Sequence, residues 1–179
     1  MGELVETRDN GARPIRWIGG RALDRVDLTM VPKLRPIRIR AGALGQDLPS
    51  RDLMVSPQHR VLVRSAIAQR MFGTTEVLVA ARQLTALDGV DEVAVDSVQY
   101  YHILFARHEI VFSNDAQTES LYTGPQAMKS LGQAAQDEIF TLFPELRAGP
   151  SEPARPFVPG GKAQKMVQRH RRNGKTLVC

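Results

Sequence analysis

The feature that most limits the fold of this chain is a series of short strand-like runs, separated by turn signals, over the first two thirds of the sequence. Several runs alternate apolar with polar residues, as half-buried strands do. Turn signals containing glycine lie between them, as at Asp9-Asn10-Gly11 and Asp88-Gly89. The predicted strands are Pro14–Ile18, Pro36–Arg40, Leu53–Val55, Arg60–Val63, Glu76–Ala80, Tyr100–Phe105 and Glu109–Phe112. The pattern predicts a mainly β body.

Helical periodicity replaces this pattern after Gly124. Apolar residues recur at three- and four-residue spacing from Pro125 to Phe143, which predicts one amphipathic helix. Four prolines and three glycines in Ala148–Gly161 are typical of a linker. A second, basic helix is predicted from about Lys162 to Arg172, and shorter helices are predicted at 64–72 and 80–87. The predicted organisation is a β domain at 1–124, a helix packed on or beside it at 125–147, a linker at 148–161 and a basic helical tail at 162–179.

The positive charge of the chain is concentrated in this tail. The 179 residues carry a net charge of +5, with a pI near 9.8. From Pro153 to Cys179 there are seven basic residues and no acidic one, so the remainder carries a net charge of −2. Such a tail favours an anionic partner, or else it is a solvated helix that keeps the protein soluble. Because the body is mildly acidic, no specific nucleic acid is predicted as a partner.

Membrane spans, leaders and disulfides are not predicted. No stretch approaches the roughly 18 uninterrupted apolar residues of a membrane span, and the N-terminal residues have no apolar run like that of a signal peptide. A cytoplasmic location is therefore the default expectation. The single cysteine, Cys179, is the last residue, which excludes an internal disulfide or a cysteine-rich metal site within one copy. Its own role is left open.

Three of the four histidines lie at the edges of strand-like runs and are candidate site residues: His59, His102 and His108. Ser56 precedes His59 by three residues on a turn that leads into a strand. A hydroxyl and an imidazole at this spacing can share one polar centre, where the hydroxyl orients a carbonyl group and the imidazole protonates a leaving amide nitrogen. His170, in the basic tail, is expected to be solvated.

Common enzyme motifs are absent, and no cofactor or metal is predicted. His102 and His108 are six residues apart, a spacing that matches no compact zinc motif. The sequence has no phosphate-binding loop, no dinucleotide fingerprint and no GxSxG elbow. A small hydrolase that uses Ser56 and His59 stays open as an alternative.

Four strings together resemble the bacterial Hint domain of the Hedgehog/intein superfamily. They are Arg8–Gly20, PIRIRAGALG at Pro36–Gly45, RDLMVSPQHRVLV at Arg51–Val63 and YYHILFARHEIVFSNDAQTESLYTG at Tyr100–Gly124. The resemblance covers roughly Leu4 to Gly124. It implies a mainly β, pseudo-twofold horseshoe fold, here with a C-terminal helical extension.

The resemblance also implies self-processing chemistry. In this family a first-position Cys or Ser attacks the preceding peptide carbonyl, and the resulting ester is transferred or passed to a small nucleophile. Ser56 and His59 match the block that positions and protonates the scissile amide. His108 matches the histidine that assists the C-terminal steps, and His102 stands where Asp or Cys is frequent. The substrate would be the protein's own flanking polypeptide, if a longer form exists.

Two departures from the family pattern predict that this chain does not cleave itself. No cysteine precedes Pro14, and Thr7 lies in a turn stretch instead of at a domain start. Where inteins close with His-Asn, this chain has Glu119-Ser120. The alternative is a Hint scaffold that acts as a binding module through its helix at 125–143 and its basic tail.

Overall fold

The computed structural model describes residues 2–178, apart from the side chains of Gln126 and Ser130; Cys179 therefore lies outside the described residues. Within them the strands are β1 (Leu4–Thr7), β2 (Gly11–Pro14), β3 (Trp17–Leu23), β4 (Ile37–Ile39), β5 (Leu53–Val55), β6 (Arg60–Arg64), β7 (Glu76–Ala80), β8 (Val90–Glu92), β9 (Val98–Leu104), β10 (Ile110–Ser113) and β11 (Ala116–Glu119). The α-helices are α1 (Arg25–Met30), α2 (Ala66–Phe72), α3 (Pro125–Ser130), α4 (Gln133–Leu142) and α5 (Gly160–Arg172). The mainly β class predicted from the sequence is confirmed.

The chain forms two compact units, each built from separate stretches of sequence. The first contains residues 1–22, 99–111 and 119–154, and the second contains residues 23–98, 112–118 and 155–179. No α-helix among residues 2–178 is long and apolar enough to cross a membrane.

In the first unit, β1 pairs with both β2 and β10, and β3 pairs with β9. Gly11 closes the β1–β2 hairpin with a φ of 64°, a left-handed conformation that glycine adopts without steric cost. Helices α3 and α4 pack through Met128 and Ile139 on a cluster that includes Trp17. A smaller cluster contains Ile15, Phe105 and Val111.

The prediction of one continuous helix from Pro125 to Phe143 is wrong. The structure has two helices in this stretch, and Gly132 lies between them with a φ of 82°. This left-handed conformation ends one helix and redirects the chain before the next. The predicted helix at 80–87 is likewise reduced to one 3-10 turn at Ala81–Gln83.

In the second unit, β4 pairs with β5 and β8, and β6 pairs with β7 and β11. The inner residues of β6 and β7 are apolar and buried, as expected of strands covered on both faces. Its core also takes in residues of α2 and α5. The chain after α5 is hydrogen-bonded into the same unit, since Arg64 N–H donates to the Leu177 carbonyl at 3.0 Å.

Helix α5 occupies the region of the predicted basic helix and has two distinct faces. Ala163, Met166, Val167 and His170 are buried, at the three- and four-residue spacing of one helix face. The expectation that His170 is solvated is therefore wrong. Its Nε2 lies 3.0 Å from Ser65 Oγ, and its Nδ1 lies 3.2 Å from the Lys175 carbonyl.

The apolar face of α5 makes a measurable contribution to stability. The Met166 side chain is fully buried in the core of the second unit. Met166→Ala is expected to lower the free energy of unfolding by about 2 to 5 kcal/mol, because it leaves a cavity. Urea unfolding measures this change. Gln168→Ala on the exposed face is the matched control, and equal stability of the two variants would contradict the packing of α5.

His170 makes stability depend on pH. Burial lowers the pKa of His170, although hydrogen bonds to the Lys175 and Thr176 backbones partly oppose that shift. The unfolded chain therefore takes up a proton near the ordinary histidine pKa of about 6.5, while folded His170 does not. This contribution to stability is complete above about pH 6.5 and is lost as the pH falls towards the lowered pKa.

Urea midpoints measured between pH 7.5 and 5 are expected to fall more for the natural chain than for His170→Gln. Gln keeps polar atoms near Ser65 but does not titrate. Identical pH profiles for the two proteins would contradict the prediction.

Candidate functional site

Ser56 and His59 lie in the second unit, on the turn that leads into β6. The His59 N–H donates to the Ser56 carbonyl at 3.0 Å, which closes the turn. The turn is also tied to the 3-10 turn beyond β7, because the Pro57 and His59 carbonyls accept hydrogen bonds from Arg82 and Ala81. Both candidate side chains are half-buried. The structure thus places them together on one fixed turn, and their chemical roles stay predictions.

His102 lies in the first unit, on β9, and is half-buried. Tyr100, two residues earlier, shares its face of the strand because side chains alternate along a strand. Burial raises the pKa of Tyr100 to about 12. The phenol is therefore neutral at physiological pH, and this stretch of β9 is partly shielded from water.

His108 also lies in the first unit, and its side chain is fully buried. The Ala154 N–H donates to Nδ1 at 3.1 Å, so Nδ1 must carry a lone pair. In the neutral ring the proton is then on Nε2, which lies 3.4 Å from Glu119 Oε2. Tyr122 packs against the ring at a centroid distance of 5.2 Å. The backbone of Ala154 therefore sets the tautomer of the neutral ring, with the proton on Nε2, the nitrogen that lies near Glu119.

A second set of polar contacts surrounds Glu109, next to His108. The Glu109 N–H donates to Ser120 Oγ at 2.9 Å, and Ser120 N–H donates to the Glu109 carbonyl at the same distance. Asn10 Nδ2 donates to Glu109 Oε2 at 2.7 Å. Both Glu109 and Ser120 are 2% exposed. Glu109 and Ser120 are thus built into a buried hydrogen-bond network.

The hydroxyl of Thr7 is already used by the β1–β2 hairpin. Thr7 Oγ1 donates to the Gly11 carbonyl at 2.8 Å and accepts from Asn10 N–H at 3.3 Å. Thr7 is itself buried. These bonds stabilise the turn, and they hold the hydroxyl in a structural position.

The neutral His108 ring can donate a hydrogen bond from Nε2–H. That proton can leave only after Nδ1 has accepted another one, and Nδ1 is occupied by the Ala154 N–H. In the folded chain both ring nitrogens face protein atoms. No group of three or more His, Cys, Asp and Glu side chains within residues 2–178 could hold a metal ion.

The sequence patterns above do not predict the pairing of His108 with Glu119. A usable signal lies in Asn114 and Asp115, which have φ values of 47° and 65° and form a two-residue turn between β10 and β11. A two-residue hairpin turn fixes the register of its strands, and here it sets Glu109 opposite Ser120. Ala154 has no such signal, since 46 residues separate it from His108.

Comparison with known proteins gives one family match. A family model described as a Hint domain matches residues 1–125 of the chain. No curated protein and no solved structure matches it.

The tautomer of His108 can be tested directly by NMR. In the ¹⁵N-histidine-labelled chain, one imidazole is expected to show protonated Nε2 and bare Nδ1 near pH 7.5, in a pattern lost in His108→Gln. Ala154→Pro removes the donor N–H and is expected to change the Nδ1 shift of that ring. Glu152→Pro, in the same stretch, is the control. The assignment fails if the ring carries its proton on Nδ1, or if both proline variants leave it unchanged.

Proposed function

The chain belongs to the Hint-domain family, whose members are related to self-processing, and from this premise we propose that the chain itself does not break a peptide bond. The observation that carries the proposal is the closure of the site around His108. Its ring is fully buried between the Ala154 amide and the Glu119 carboxylate, and Ser120 is engaged by Glu109.

The C-terminal step of intein chemistry lacks its reactant. That step requires an asparagine whose side-chain amide nitrogen attacks its own backbone carbonyl and closes a succinimide. Ser120, at the corresponding position, has no amide nitrogen. The position before it holds Glu119, which accepts hydrogen bonds when ionised and cannot act as a neutral imidazole does. Glu119 and Ser120 are therefore suited to a buried structural role beside His108 and not to cleavage by asparagine cyclisation.

The hydroxyl that stands before Pro14 in this sequence is not available for an N-terminal acyl shift. The one cysteine, Cys179, is the last residue. Thr7 is the hydroxyl residue in the stretch before Pro14, and its oxygen is committed to Gly11 and Asn10. Ser56 and His59 share one turn, and their sequence resembles the family block that positions a scissile amide. These observations support a scaffold that keeps the turn for positioning a scissile amide but has no free nucleophile at Thr7 to attack it.

A second candidate function is a binding module that presents helix α5. Residues of α3 and α4, including Met128 and Ile139, are buried against Trp17 and its neighbours, so the apolar face of this part of the chain is already covered. By contrast, the cations of α5 are exposed. The binding surface of the alternative function is therefore expected on α5 and not on the helices at 125–142.

The absence of cleavage is tested with two fusion proteins, each with a folded partner on one end of the chain. Both are expected to keep their full intact mass at pH 7 to 8.5, with or without a thiol or hydroxylamine to trap an ester. A self-cleaving intein carrying the same partners shows that the conditions allow cleavage. Release of the N-terminal partner that stops in His59→Ala would overturn the proposal.

A paired variant makes the test sharper at the C-terminal step. Glu119→His combined with Ser120→Asn restores the residue pair that asparagine cyclisation uses. A break after residue 120 in this variant, with none in the natural chain, would locate the lost activity in these two residues. A break at the same position in the natural chain would contradict the proposal.

A further inference from the structure

Helix α5 carries a continuous cationic face. Every exposed residue from Lys162 to Arg172 is Lys, Arg or Gln. Lys162, Lys165, Arg169 and Arg172 follow at spacings of three and four residues, which aligns them along one side of the helix. At 1.5 Å per residue the row is about 15 Å long. No ion pair engages these four cations within residues 2–178.

The cations are held on a rigid support. Ala163, Met166, Val167 and His170 bury the opposite face of α5 in the core of the second unit. Gln164 and Gln168 lie among the cations and supply neutral hydrogen-bond donors. A ligand that meets this face would not have to order the helix first, which lowers the entropic cost of binding.

The stability of α5 accounts for the cations at the C-terminal end of this row but not for those at its N-terminal end. Arg169 and Arg172, in the last turn, interact favourably with the negative end of the helix dipole. Lys162, in the first turn, lies near the positive end, where a cation is unfavourable, and Lys165 follows one turn later without any benefit from the dipole. Like charges three or four residues apart also cost a few tenths of a kcal/mol per pair. The N-terminal cations therefore have a small cost for the folded chain that an anionic ligand would offset.

From these observations we infer that the α5 face binds the phosphate backbone of a nucleic-acid duplex without reading its sequence. A duplex carries one phosphate per roughly 3.4 Å of axis on each strand, so a 15 Å row can meet several phosphates. Lys, Arg and Gln are residues that contact phosphates. No exposed aromatic side chain on α5 offers a surface for base stacking.

A lipid surface fits this face less well. Helices that lie on membranes insert an apolar face below the headgroups. The apolar face of α5 is already buried in the core, and its exposed face has no apolar side chain larger than glycine. The inference rests on the second candidate function, the binding module, and names the chemical class of its partner.

Fluorescence anisotropy with a labelled 20-base-pair duplex of mixed sequence tests the inference on the full chain. Binding is expected to weaken steeply between 50 and 200 mM KCl and to be insensitive to base sequence. The variant Lys165→Gln/Arg169→Gln/Arg172→Gln is expected to lose about tenfold or more in affinity, with a salt slope lower by about 0.9 for each lost phosphate contact.

A matched variant separates the α5 face from net charge. Arg13, Lys33 and Lys129 are exposed and lie outside α5, so their replacement by Gln removes the same charge. This control is expected to keep the affinity of the natural chain, and circular dichroism and thermal melting check the folding of both variants. Equal losses in the two variants, or no binding by the natural chain at 50 mM KCl, would overturn the inference.

Binding to vesicles of phosphatidylcholine with 30% phosphatidylserine tests whether the partner of α5 is a lipid surface instead. Binding to vesicles but not to the duplex, lost in the α5 variant, would overturn the nucleic-acid inference and leave the binding module standing. Binding to neither would count against both. The fusion-cleavage result is independent of these outcomes, so failure of the partner and failure of the non-cleaving proposal are distinguishable.

Discussion

The two-residue turn at Asn114 and Asp115 decides which polar groups meet in the candidate site. Both residues adopt positive φ, as the type I′ hairpin turn requires, and a two-residue turn fixes the register of the flanking residues. Glu109 consequently faces Ser120, and Glu119 comes within reach of His108. A shift of one residue would turn these side chains to the opposite face of the hairpin. The buried network therefore depends on a local backbone constraint.

Much of the β body could be predicted from the sequence because the signals for it are local. The bounds of β5 and β7 agree with prediction, since the apolar runs are short and turn residues follow β5 and precede β7. The turn that contains Ser56 and His59 could also be predicted from the sequence. Helix α5 carried a further local signal, because Ala163, Met166, Val167 and His170 have the spacing of one helix face. That periodicity indicates that His170 is buried. The prediction that His170 is solvated is based on the basic composition of the segment instead.

The long-range contacts of the two buried histidines could not be predicted in the same way. His170 meets Ser65 across 105 residues of sequence, and Ala154 meets His108 across 46. Contacts over such sequence separations produce no periodic pattern in the sequence, because they form only when separate stretches of the chain pack together. Ala154 contributes a backbone N–H, which every residue except proline possesses, so its side chain carries no sign of the role. Such a contact becomes visible only with the folded backbone.

The residues on both sides of the Ala154–Arg155 peptide bond make specific contacts, each within its own unit. The Ala154 amide bonds His108, and Arg155, the next residue, donates to Glu76 Oε2 at 2.7 Å in a partly buried ion pair. Two residues further on, the Phe157 ring lies 4.0 Å from the Arg60 guanidinium. Hydrogen bonds to charged groups contribute about 1.5 to 3 kcal/mol each. A fully buried histidine whose Nδ1 accepts a backbone N–H is suited to hold this part of the chain together, and this supports the proposal that the chain does not cleave itself.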